Sequence, residues 1–284
     1  MRFAKEKLKG YCVSEVCRVL KMSRSEYYRR PKQTEREEME QEEAVIHCFW
    51  KNDRNSGRIR IRRELLNQGI EVSEYRIAKI LKKNGLTAKS GRTGKAKRKK
   101  PTEEQYIEEN LIVDKFSVQQ VNALWCSDIT ELKCAQGKVF LCGTIDVASR
   151  RIVGLTIGRS QTQKLVQDCI QMAAGRFPQR PAGAIFHSDR GCQYTAKKTK
   201  ELVERLGFRK SMSRPGTPSD NQPIESFWRT LAVELPDIRK MSFREASLTI
   251  LAYVYLYYNA QRLHSGIHYL TPNQFFTLSP VHDS

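Results

Sequence analysis

Three carboxylates stand apart from the other acids of the chain by their settings. Asp128 lies in Trp125-Cys-Ser-Asp-Ile-Thr130, within a run of strand-forming residues. A carboxylate inside a buried apolar strand is costly unless something pairs with it. Asp189 follows directly on the apolar stretch 184–187, in His187-Ser-Asp-Arg-Gly-Cys-Gln-Tyr194. The carboxyl ends of strands are where α/β sheets hold ligands. Glu225 opens a helix after a loop rich in Pro, Gly and Ser, in Ser219-Asp-Asn-Gln-Pro-Ile-Glu-Ser-Phe-Trp228, with 35 residues between it and Asp189. Three convergent carboxylates do not all stay ionised without a cation. Hard oxygen ligands suit Mg²⁺ or Mn²⁺. A pair of such ions, about 3.5–4 Å apart, can activate an attacking oxygen and stabilise a leaving one in phosphoryl transfer. The 284 residues carry 50 Lys/Arg against 31 Asp/Glu, a net charge of +19, which favours a polyanionic partner such as nucleic acid. Acids plus a basic surround point to phosphodiester chemistry, although any single acid can cap a helix or pair with an arginine.

The elements that would position these acids read as an α/β layer. Residues 124–132, 139–146 and 152–157 have the texture of three strands close in sequence, with a turn at Gln136-Gly137. Residues 162–174 read as a helix with Leu165, Val166, Cys169, Ile170 and Ala173 inward. A short strand over 184–187, a helix over 196–206 ended by Gly207, a strand over 208–211 and a helix over 224–234 follow. Three strands, helix, strand, helix, strand, helix predicts a mixed sheet flanked by helices. In the tail, Ser242 and Glu245 form a capping box before a helix running to Tyr258, and Thr271-Pro272 sets a cap and first-turn proline before a last short helix.

With these motifs laid out, the chain resembles the retroviral-integrase superfamily, and within it the bacterial insertion-sequence transposases of the IS-three family, second-frame catalytic subunit. Trp-x-x-Asp-Ile-Thr at 125–130, His-Ser-Asp-Arg-Gly-x-Gln-Tyr at 187–194 and Asp-Asn-x-Pro-x-Glu-Ser-Phe-Trp at 220–228 carry the resemblance, as do the 35-residue spacing and the tail motif at 258–272. The resemblance covers nearly the whole chain. It implies a ribonuclease-H-like catalytic domain whose metal ligands and catalytic acids would be Asp128, Asp189 and Glu225, holding two Mg²⁺ with Mn²⁺ able to substitute. It also implies metal-activated water cleaving DNA at the element ends, and the freed 3′-hydroxyl attacking a new phosphodiester. The implied partners are terminal-repeat and target DNA, further copies of the chain on that DNA, and an upstream-frame subunit joined by frameshift fusion. The sequence departs from the family at Ala232, where Lys or Arg is usual seven residues after the glutamate; Arg229 shares that helix face and is the alternative DNA contact. It also departs at Phe49–Ile59, and it lacks the two-His, two-Cys zinc module of retroviral integrases.

Upstream, the reading is all-α. An N-terminal helical segment covers 1–38, with Val13, Val16, Cys17 and Leu20 at helical spacing and a Ser23–Glu26 capping box. A helix-turn-helix domain covers 39–88: a helix over 40–50, then a helix pair over 58–84 with Gly69 as terminator and Ser73 as cap. Arg76, Lys79 and Lys83 form a basic stripe on its second helix, the one such motifs place in a DNA groove. A basic linker covers 89–118. Its Lys95, Lys97, Arg98, Lys99 and Lys100, with no acid among them, are expected DNA contacts, as is Arg190 beside Asp189. The catalytic domain with its C-terminal helices occupies 119–284.

Several residues read as structural. Asp146 reads as a turn cap, Trp125, Phe227 and Trp228 as core anchors, and the eight cysteines, which include no Cys-x-x-Cys pair, as reduced core thiols. His187 and Tyr194 are divided between core and site, and His264 and His268 have the spacing of a metal pair but no Cys partner nearby. No apolar run approaches the ~18 residues of a membrane span and the start carries no apolar signal region, so the expected location is cytoplasmic and nucleoid-associated. Two alternatives stand beside a transposase: a ribonuclease-H-like nuclease, and a DNA-binding regulator with an inactive catalytic domain.

Overall fold

The computed structural model describes residues 12–19, 21–24, 33–89, 107–112, 118–215 and 217–279. The chain divides into two compact units, Met1–Ala88 and Lys89–Ser284. The first contains α1 (Val13–Val19), α2 (Gln33–Lys51), α3 (Arg58–Asn67) and α4 (Glu74–Lys83). Helix α2 starts earlier than the apolar periodicity indicates, because its first turns are polar. The end of the Ser23–Glu26 capping box lies outside the described residues. Gly69 closes α3 at φ +77, with Gly69 N–H donating to the Leu66 carbonyl and Ile70 N–H to that of Leu65; only glycine takes this backbone cheaply. Ser73 Oγ then accepts the Arg76 amide at 3.2 Å and starts α4. Val45, Cys48, Phe49, Ile61, Leu65, Val72, Ile77 and Ile80 form the buried core of the three helices.

The second unit is built on a five-stranded sheet. Its strands are β1 (Leu124–Cys134), β2 (Gly137–Asp146), β3 (Ile152–Gly158), β4 (Ile185–Ser188) and β5 (Arg209–Met212), in the order β3-β2-β1-β4-β5. β1, β2 and β3 pair antiparallel, while β4 and β5 add in parallel on the other side of β1. The sheet is therefore mixed, as the element order requires. Side chains alternate across it. Leu124 and Cys126 of β1 join one core with α8 (Gln222–Glu234) and α9 (Phe243–Ala252). Trp125 joins the other, with α5 (Gln163–Arg176), α6 (Cys192–Thr195) and α7 (Lys197–Arg205). Helix α6 interrupts what reads in sequence as loop. The final helix, α10 (Pro272–Leu278), begins with the Thr271–Gln274 capping box and first-turn proline.

Two tail features fix the edge of this sheet and the lie of α8. After α9 the chain continues as a π-helix, Tyr253–Tyr258, so inward residues recur five apart: Tyr253 with Tyr258, Val254 with Asn259. That spacing delivers Asn259 to edge strand β3, where its amide donates to the Ile152 carbonyl and accepts the Ile152 N–H, both at 3.0 Å. One side chain thus replaces a missing strand partner. At the C-terminal end of α8, buried Glu234 accepts a forked pair of bonds from buried Arg262 at 2.8–3.0 Å and a third from the Tyr253 hydroxyl at 2.9 Å. All eight cysteines are free; six are buried, and only Cys12 and Cys192 are exposed.

Candidate active site

Asp128 lies on the same face of β1 as Leu124 and Cys126, the face covered by α8. It is paired across the sheet with Gly143 of β2. Asp189 comes directly after β4, whose Ser188 is in register with Ser127 of β1, so the two aspartates emerge at the same level of adjacent parallel strands. Glu225 stands in the first turn of α8. Helix α8 buries Ile224, Phe227, Trp228 and Leu231 against the sheet, which leaves Glu225 at the border of that face. All three acids are half-buried. Asp128 is pushed up to about 8. Desolvation leads, the charge of Asp189 adds to it, and Glu225 contributes further; the Ile129 amide and the Trp228 indole pull the other way. Asp189 and Glu225 are therefore electrostatic neighbours of Asp128, with a proton or a cation needed at neutral pH.

Local structure holds each acid in place. Gly191 N–H donates to Asp189 Oδ1 at 2.9 Å, and a β-carbon at 191 would stand 3.0 Å from that same oxygen. Asn221, immediately before α8, donates from Nδ2 to the Ser127 carbonyl at 3.0 Å and so ties the helix start to the strand residue preceding Asp128. Asp220 is held low, at about 2, chiefly by Arg214, which donates to it from Nε and Nη2 at 3.0 and 2.9 Å. Neither Asn221 nor Gly191 announces itself in the sequence except as a neighbour of a motif acid.

Candidates read as divided fall to structure. His187 is fully buried with Nδ1 2.9 Å from Ser211 Oγ and Nε2 3.0 Å from Ser213 Oγ, and burial drops it to about 4. Both ring nitrogens are thus used within the sheet edge. Tyr194 is buried, its hydroxyl 2.9 Å from Ser127 Oγ. Asp146 caps its turn by accepting the Asn122 and Ser149 amides at 2.9 Å. Trp125, Phe227 and Trp228 are core anchors. His264 packs edge-on against Tyr258, while His268 sits in the left-handed region at φ +56, so the two share no helix and form no metal pair.

The basic candidates divide. Arg76 and Lys83 of α4 pair with Glu38 and Glu42 of α2 at 3.2 and 2.9 Å; Arg76 is half-buried, while Lys83 and Lys79 are exposed. The two acids stand one turn apart on α2 and meet cations two turns apart on α4. Arg190 is half-buried with Nε on the Ser213 carbonyl at 2.8 Å. Arg229 is exposed one turn beyond Glu225, and Ala232 is exposed one turn further. Lys95, Lys97, Arg98, Lys99 and Lys100 lie outside the described residues.

The acids offer only oxygen donors, which suits a hard divalent cation. Among the described residues no three acid, His or Cys side chains close into a ready-made cage. Among the same residues no helix is long and apolar enough to cross a membrane.

Comparison with known proteins gives the family. Residues 118–218 and 206–272 match two models described as integrase core domain, and residues 35–94 match an HTH-like domain. The transposase for insertion sequence element IS904 of Lactococcus lactis is 35% identical over 249 residues, covering 87% of this chain and 98% of the relative. The transposase InsF for insertion sequence IS3A of Escherichia coli is 32% identical over 278 residues, covering 93% of this chain and 94% of the relative. Among solved structures, the simian T-cell lymphotropic virus intasome in complex with a PP2A regulatory subunit is a distant likeness, with TM-score 0.44, 16% identity, 85% of this chain and 77% of that chain. With its mixed ribonuclease-H-like sheet, helical HTH-like unit and full-length relatives, the chain belongs to the insertion-sequence transposases of the IS-three family.

Proposed function

We propose that this chain is the catalytic subunit of DNA transposition, a DDE-type polynucleotidyl transferase that cuts at the ends of an insertion element and joins them to target DNA. One observation carries the assignment to a site: the parallel register of Ser127 with Ser188 sets Asp128 and Asp189 side by side on adjacent strands, with Glu225 in the first turn of the helix that covers that face. Asp128, Asp189 and Glu225 are the catalytic acids and would hold the divalent cations, Mg²⁺ in two copies with Mn²⁺ as substitute, with Asp128 between the other two. When bound, such ions supply a polarised phosphate and a more acidic attacking oxygen. The chain's own part is to fix the three carboxylates in place. Gly191 N–H orients Asp189, Asn221 locks the start of α8, and Glu234 with Arg262 anchors its far end. Arg229, exposed on the Glu225 side of α8, takes the DNA-contact role that a basic residue at 232 would fill, and Arg190 and Lys79 join it.

Arg76, Lys83 and the linker cations Lys95, Lys97, Arg98, Lys99 and Lys100 are further proposed phosphate contacts; the first two would have to exchange their α2 carboxylates for DNA. The domain limits belong to the same proposal: helical segment 1–38, helix-turn-helix 39–88, linker 89–118 and catalytic domain 119–284, with α2 running across the first limit. The working assembly is several copies on terminal-repeat and target DNA at the nucleoid, with an upstream-frame subunit supplied as a frameshift fusion.

The test is a strand-transfer assay with pre-cut element ends, target DNA and Mg²⁺. Joined product supports the transferase; cuts without joining indicate a nuclease. Asp128→Asn is expected to abolish joining while retaining DNA binding. Unchanged joining by that variant removes the acid assignment.

A further inference from the structure

Opposite Asp128 in the β1–β2 register stands a glycine, Gly143, in the buried half of β2. Its missing side chain is filled by the Trp228 indole: a β-carbon at 143 would lie 2.7 Å from Cη2 and 2.9 Å from Cζ2 of that ring. Side chains directly opposite across an antiparallel pair have β-carbons about 4.5–5.5 Å apart. Cζ2 is bonded to the ring carbon that carries Nε1. The indole N–H therefore lies within side-chain reach of the Asp128 carboxylate. Trp228 is only 9% exposed, and its Nε1 is buried with no hydrogen-bond partner of good geometry. A buried indole N–H normally finds an acceptor, and the nearby anion at this face is Asp128.

We propose that Trp228 is a positioning residue: its indole N–H turns onto one oxygen of Asp128 when a divalent cation takes the other, fixing the carboxylate's orientation toward the metal. Gly143 is the second half of the device, since any larger residue there would push the ring off the strand. The proposal rests on the reading of Asp128 as a metal ligand. Outer partners of this kind commonly change metal affinity by about 10–100-fold when removed.

The full chain, with Mg²⁺ as probe, tests it in two ways. Calorimetric titration compares wild type, Trp228→Phe and Asp128→Asn. Trp228→Phe keeps an aromatic ring over Gly143 and loses the N–H, so an unfolding midpoint close to wild type with about tenfold weaker Mg²⁺ binding is expected. In parallel, the ¹H–¹⁵N spectrum of wild type shows three indole N–H signals, one per tryptophan. The signal absent from Trp228→Phe is expected to move on Mg²⁺ addition, while those of Trp50 and Trp125 stay. If Trp228→Phe binds Mg²⁺ like wild type and Asp128→Asn does not bind, the positioning role is overturned and the acid reading survives. If Asp128→Asn binds Mg²⁺ like wild type, both are overturned. Should Trp228→Phe prove too unstable to titrate, a Trp228 signal assigned by Gly143→Ala perturbation and unmoved by Mg²⁺ overturns the proposal on wild type alone.

Discussion

Asp189 owes its orientation to having no neighbour with a β-carbon at position 191. Gly191 has an ordinary backbone φ of −61, so alanine there costs nothing in conformation; its methyl would instead meet Asp189 Oδ1 at 3.0 Å. Gly191→Ala is expected to leave the unfolding midpoint within a few degrees of wild type while lowering strand joining by about 10–100-fold, the scale of a misplaced reacting group. Asp128 offers the opposite trade. Its raised pKa, about 8, marks a carboxylate whose ionisation burial and two acids oppose. Asp128→Asn is therefore expected to raise metal-free stability by about 5 kcal/mol at pH 8.5, and to abolish the rise in unfolding midpoint that Mg²⁺ gives wild type; thermal melts with and without 10-fold excess chelator measure both. The acids themselves are legible in the sequence because each sits in a distinct motif. Their supports are not: Gly143 and Trp228 are 85 residues apart in sequence and meet only through strand register and helix packing.

Helices α3 and α4 and strands β1 to β3 end within a few residues of where capping residues, glycines and alternation place them, because local chemistry alone decides those ends. The π-helix does not follow from sequence. Tyr253–Tyr258 is aromatic nearly throughout, so no apolar stripe distinguishes a five-residue from a four-residue repeat. The choice is made by tertiary bonds, with Asn259 drawn to Ile152. The same tail holds Arg262 on Glu234, and that buried pair sets the far end of the helix that carries Glu225. Arg262→Met strands a buried carboxylate and is expected to cost about 3–5 kcal/mol in denaturant unfolding. Replacing Glu234 as well, in Glu234→Leu with Arg262→Met, should recover most of the loss, since no charge is then left unpaired. Recovery of nothing would show that the pair's worth lies in shape rather than charge.

Across the whole molecule, acid and base responses oppose each other. His187 stays neutral to about pH 4 in the fold but would gain a proton near 6.5 when unfolded. Its contribution is present above pH 6.5 and is lost as pH falls toward 4. Asp128 works in the other direction, favouring the fold at low pH and opposing it as pH rises from 3.8 through 8. Buried Asp146, pushed up to about 6 by desolvation, acts in the same sense as Asp128, so the difference between the two chains is the readout: Asp128→Asn is expected to gain about 3 kcal/mol of stability over wild type between pH 4 and 6.5, measured by urea unfolding of both at a series of pH values. The excess of 19 positive charges sets a second global property: DNA affinity should drop steeply between 50 and 200 mM salt. Affinity independent of salt would count against the phosphate contacts proposed here.

Burial has also sorted the sulfur atoms in a way a spectroscopist can use. Six thiols are sealed in the two units, while Cys12 in the first and Cys192 in the second meet solvent. A maleimide dye should therefore attach at two places without any cysteine being engineered away, one on each unit. Cys192 stands three residues past Asp189, so its fluorophore would report events at the cleft. A second dye on Cys12 would tag the other unit in the same reaction.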